Sequence, residues 1–120
     1  TIFFFQNNIF ADEFKFDVSE INIFDSGNLV KTGQGVVTTK ENDVIIEAKQ
    51  FQYNKISSVL IATNGDAILK KNNIKINADR IIYDKKNSII NAIGNVIIND
   101  FSRNVLIETN NIIYNRTEYE

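Results

Sequence analysis

The sequence predicts an all-β protein, a single elongated structure built from stacked units of about 30 residues. Three observations carry this. First, a landmark stretch occurs four times: residues 19–24 (SEINIF), 48–53 (AKQFQY), 78–83 (ADRIIY) and 109–114 (TNNIIY), their first residues 29, 30 and 31 apart. The aromatics Phe24, Tyr53, Tyr83 and Tyr114 keep the same spacing, and Gly35, Gly65 and Gly94 recur between them. Second, apolar residues alternate with polar ones at period two, the pattern of a half-buried strand. Third, Asn, Asp, Gly and Ser gather between these stretches, while no window holds the 3.6-residue period of a helix over a useful length.

Along the chain, residues 1–11 stand apart. The apolar run Ile2, Phe3, Phe4, Phe5 and the later Ala11 read as the tail of a secretory signal, with an N-terminal strand packed on the first unit as the alternative. Residues 12–120 form the repeat domain. The start lacks methionine and the chain stops soon after Tyr114, where earlier units continue to a second apolar stretch and a glycine, so the sequence reads as a fragment truncated at its C-terminus. Turns are expected at 25–28, 40–43, 54–58, 71–73, 84–88 and 99–104, giving about eight or nine short strands.

Within the units, Val44, Ile46 and Ala48 share a face against Glu47 and Lys49. Ile74, Ile76, Ala78 and Ile82 share another against Lys75, Asn77 and Asp79, and Arg80 marks an edge, a bulge or a strand end. Ile90, Ala92, Gly94, Val96 and Ile98 line one face; Leu60 and Ala62 align with Ile90 and Ala92. Gly65, Ala67 and Leu69 align with Gly94, Val96 and Ile98 only if the earlier unit holds one extra residue, which a β-bulge near Thr63 and Asn64 would absorb. These patterns fit a folded-over sheet, a jelly roll or a solenoid alike.

Composition excludes several functions. Net charge is −2 with both signs dispersed, so there is no basic footprint for nucleic acid and no cationic cluster for anionic headgroups. Histidine and cysteine are absent, which removes the commonest general base, thiolate chemistry and the usual metal ligands. The remaining carboxylates, Asp66, Asp79, Asp84 and Asp100 among them, show no convergent pair, and the chain reads as a non-enzyme without cofactor or metal. No run of about 20 apolar residues is present to span a bilayer.

The units also resemble a known family. Ala78, Asp79, Ile81, Tyr83 and Asp84, followed by Ile90, Ala92, Gly94, Asn95, Val96 and Ile98, follow the pattern A-D-x-I-x-Y-D, turn, I-x-A-x-G-N-V-x-I of the OstA-like domains of lipopolysaccharide transport. The unit at Ala48, Phe51, Tyr53, Leu60, Ala62 and Gly65 carries it more loosely, and the resemblance covers roughly residues 12–116. It implies an elongated, folded antiparallel sheet, the β-jelly roll or "β-taco". It implies a place in the periplasm as part of an outer-membrane protein, whose membrane-spanning barrel would lie outside this segment; a free-standing periplasmic bridge protein is the close alternative. The partners it implies are lipopolysaccharide, through its acyl chains, and other OstA-like (Lpt) proteins through edge-strand pairing.

Such a fold would hold acyl chains in an apolar groove and leave the sugar headgroup in water. At about 0.8 kcal/mol per buried CH₂, a chain of about 12 carbons could gain up to roughly 10 kcal/mol. The groove lining expected from strand parity is Ile46, Leu60, Ala62, Ile74, Ile76, Ile82, Ile90, Ala92, Val96 and Ile98. The recurring alanines leave room for a ligand, and the tyrosines, on the opposite parity, are expected to form a ladder outside it. The rival expectation is a closed core in a purely structural repeat, such as an adhesin-type β-solenoid without lipid binding.

Overall fold

The computed structural model describes residues 8–11 and 13–116. Ten strands follow one another: β1 (Asn8–Ala11), β2 (Phe14–Val18), β3 (Ile21–Phe24), β4 (Leu29–Thr32), β5 (Gly35–Thr39), β6 (Val44–Asn54), β7 (Val59–Leu69), β8 (Ile74–Asp84), β9 (Ile89–Asp100) and β10 (Val105–Asn115), with a 3₁₀ turn at Asp25–Gly27. Every pairing is antiparallel, and neighbours in sequence are mostly neighbours in the sheet, in the order β1-β2-β5-β6-β7-β8-β9-β10, while β4 joins β3 to β6. The segment expected to be a signal tail is only partly in view: β1 pairs with β2, while residues 1–7 and 12 lie outside the described residues.

The sheet folds back along a crease that crosses every long strand. Buried side chains normally recur every second residue, but at the crease they recur every third: Ala48 then Phe51 in β6, and Ala78 then Ile81 in β8. The same line passes between β2 and β3 and between β4 and β5, where the chain breaks outright. It divides the sheet into two walls. The first wall carries β1, β2, β5 and the parts of β6–β10 holding Ala48, Gly65, Ala78, Val96 and Thr109. The second carries β3, β4 and the parts holding Phe51, Ala62, Ile81, Ala92 and Ile112.

Local chemistry explains the bend. Asn64 (φ 54°) and Asn95 (φ 48°) take left-handed backbone, which asparagine tolerates, and Gly94 (φ 86°) does so beside Asn95. Small residues occupy the inside of the fold, where Gly35, Ala48, Gly65 and Ala78 oppose one another in turn. At Gly65 a Cβ would stand 2.2 Å from the carbonyl oxygen of Glu47 and 2.6 Å from the Cβ of Ala48.

The irregular register lies elsewhere than the sequence pattern placed it. Around Asn64 the pairing is balanced, Ala48 with Gly65 and Gln50 with Thr63. Against β8 the extra residue sits in β9: Arg80 opposes Ile93 while Asn77 opposes Ile97. The unit with Gly94 is therefore the longer one, because its bend uses two left-handed residues in place of one.

Four-residue loops close the hairpins, with a left-handed residue last at Ser58, Asn73, Ser88 and Asn104. Backbone bonds lace loops two hairpin turns apart: Lys55 N–H to Asn28 O, Lys85 N–H to Ser58 O and Arg116 N–H to Ser88 O along one lip; Lys40 N–H to Glu13 O, Lys70 N–H to Asp43 O and Phe101 N–H to Asn73 O along the other. The 30-residue period is thus one hairpin, two strands and two loops. The molecule extends 45 × 25 × 21 Å.

Candidate functional site: the interior and mouth of the folded sheet

The interior is a continuous apolar core from both walls. On the second wall Val30, Tyr53, Leu60, Tyr83, Ile90 and Tyr114 stand side by side in register, so each tyrosine has an aliphatic neighbour. The next row, Phe51, Ala62, Ile81, Ala92 and Ile112, alternates large and small. That alternation lets the facing wall interdigitate. From the first wall Phe14 meets Tyr53 edge-on at 5.2 Å and Tyr83 at 5.8 Å between ring centroids, and Phe16 lies 5.8 Å from Tyr53. The walls touch here.

Of the expected lining residues, Ile46, Leu60, Ala62, Ile76, Ile90, Ala92, Val96 and Ile98 face this interior and are buried, and Ile74 is partly buried against it. Ile82 is a correction: it lies half-buried on the outer face, because the bend at Asp79 and Arg80 turns Ile81 and Tyr83 inward. The same bend corrects the tyrosines. Tyr53 and Tyr83 share the inner face with Ala48 and Ala78 and are fully buried. Parity counted straight through a bent strand misses this, as it missed Phe51 and Ile81. The signal was present as three-residue spacings between Ala48 and Phe51 and between Ala78 and Ile81.

Among the described residues, the interior is not covered at its ends. Val105 and Ile107 on β10 stand on the inner face, in register with Asp100 and Ile98, yet each is 43% exposed. At the opposite end Ile23 on β3, in register with Val30 and Tyr53, is 59% exposed. Among the described residues, β3 on the second wall and β10 on both walls each pair along one edge only.

The mouth opposite the crease is polar and stitched. Arg116 donates from Nη2 to Asp43 Oδ2 at 2.8 Å and from Nη1 to Tyr83 Oη at 2.9 Å; Asp43 also accepts from the Thr39 hydroxyl. Lys85 Nζ lies 3.2 Å from Glu41 and 3.8 Å from Glu13. A cleft of about 270 Å³ beside them is lined by Glu41, Asp43, Lys71, Lys85 and Arg116. Burial opposes ionisation of Asp43, but the bonds from Thr39 and Arg116 outweigh it and hold its carboxyl below the ordinary value. Burial pushes the Tyr83 phenol up to about 12 against the opposing pull of Arg116. Sequence reading missed this cluster, since Arg116 and Asp43 are 73 residues apart and only the fold joins them.

The sequence matches no protein-family model, and no curated protein matches it.

The carboxylates weighed as catalytic each have a structural partner. Asp79 accepts from Asn95 Nδ2 at 2.9 Å across the crease, and Asp66 accepts from Asn77 beside it. Asp84 and Asp100 cap their own loops, accepting from the N–H groups of Asn87 and Arg103.

Proposed function

We propose that this domain handles the acyl chains of lipopolysaccharide and serves as one module of a periplasmic β-bridge, as part of an outer-membrane protein, without catalysis of its own. The observation that supports this reading best is the pair of inner faces left exposed among the described residues, Val105 and Ile107 at one end and Ile23 at the other, each on a strand that pairs along one edge only there. Exposed apolar surface continuous with a core invites either a ligand chain or the next wall of a similar module. Strand addition at β10 would extend the sheet and the interior together.

The test is photocrosslinking to lipopolysaccharide with a photoreactive amino acid at Ile107, which faces inward, and at Leu106, which faces outward at comparable exposure. Crosslinks at Ile107 and not at Leu106 are expected. Equal labelling at both would mean surface adhesion and reject a groove.

A second reading is a purely structural repeat. The ring contacts of Phe14 with Tyr53 and Tyr83 favour it, because no acyl chain fits between walls in contact. It predicts no crosslink at either position in a folded chain.

A further inference from the structure

The two lips are joined to themselves and to each other in different ways. Along each lip, loops are tied by backbone hydrogen bonds. The contacts described above that cross from lip to lip belong to side chains: Arg116 to Asp43, and Lys85 to Glu41 and Glu13. The crossing cations are well covered, Arg116 at 11% and Lys85 at 15% side-chain exposure, and Asp43 is at 11%. Ion pairs in such positions add little net stability, because desolvation offsets much of their attraction, but they fix one arrangement sharply. The opposite side of the fold, the crease, carries no such clasp among the contacts described above; it holds small inner side chains at Gly35, Ala48, Gly65 and Ala78 and left-handed backbone at Asn64 and Asn95.

We propose that Arg116 and Lys85 form a clasp that holds the mouth of the folded sheet shut, and that its release lets the walls part about the crease and admits an acyl chain to the interior. The admission step rests on the lipid-handling reading above; the clasp itself does not. With the clasp closed, Phe14, Tyr53, Leu60 and Tyr83 fill the space between the walls and are at most 1% exposed, so a ligand cannot enter between the lips without their separation. Arg116 also bonds the Tyr83 phenol, which links the clasp to the ring cluster that a ligand would displace.

The test uses the absence of cysteine. Spin labels are placed across the mouth at Lys40→Cys and Asn87→Cys, and along one lip at Lys40→Cys and Lys70→Cys, all three sites being on exposed loop residues. The full chain is expected to give one narrow cross-mouth distance. The double variant Lys85→Gln with Arg116→Gln is expected to add a longer cross-mouth population while the same-lip distance stays unchanged. An unchanged cross-mouth distance in the double variant overturns the clasp. So does broadening of both distances together, which means general loosening. Lauric acid binding is then measured on the same proteins. Opening with severalfold greater uptake supports both clasp and admission; opening without uptake keeps the clasp and rejects the lipid reading.

Discussion

At the residue scale, the decisive positions are those where the crease and the mouth admit one kind of side chain. Gly65 lies where a methyl group would strike backbone, and backbone cannot swing aside as a side chain can. Gly65→Ala is expected to cost about 2–3 kcal/mol, read as a shift in the urea midpoint. Asp43 has its folded-state pKa below its ordinary value of 3.8. Its contribution is therefore complete above that value and is lost as pH falls through the lower one. Stability between pH 5 and pH 2 should fall less steeply in Asp43→Asn than in the parent. Tyr83 behaves in the opposite sense: with its folded-state pKa near 12, above the ordinary 10.0, its contribution is complete below pH 10 and lost as pH rises towards 12. A spectrophotometric phenol titration should lose a component near pH 12 in Tyr83→Phe.

At the element scale, each long strand is two half-strands set at an angle, and their inner residues belong to different walls. β8 gives the sharpest test because two adjacent isoleucines differ only in face. Ile81 is fully buried and Ile82 half-buried on the outside. Ile81→Ala is expected to cost about 3 kcal/mol and Ile82→Ala under about 1 kcal/mol by chemical denaturation. Equal costs would mean that the strand runs straight. The loops were legible from their Asn, Asp and Ser content, since these residues adopt the left-handed backbone that closes each hairpin. The strand breaks at residues 19–20 and 33–34 were less so, because a chain leaving one wall for the other has no compositional mark.

At the scale of the whole molecule, one sheet supplies both halves of its own core. Phe14 is the residue that most plainly bridges the walls, since its ring contacts Phe16 on its own strand and Tyr53 and Tyr83 opposite. Phe14→Ala should destabilise the fold by about 3–5 kcal/mol, more than its place in a short strand near the chain's start would suggest. Apolar inner-face surface is exposed at both ends, at Ile23 and at Val105 and Ile107, so on the function proposed above the ends, more than the middle, are where lipid or a neighbouring module would be met.

The sequence by itself determined the all-β class, the 30-residue hairpin period and the loop positions, because these depend on spacing and on the backbone preferences of Asn, Ser and Gly. Alternation within single half-strands also put eight of the ten residues expected to line a groove on the inner face, where they are buried. Only the tertiary structure decided where alternation restarts, and so moved Ile82 outward and Tyr53 and Tyr83 inward. It alone brought Asp43, Lys85 and Arg116 to one mouth, since their meeting depends on the angle at which two walls close and no local pattern encodes that angle.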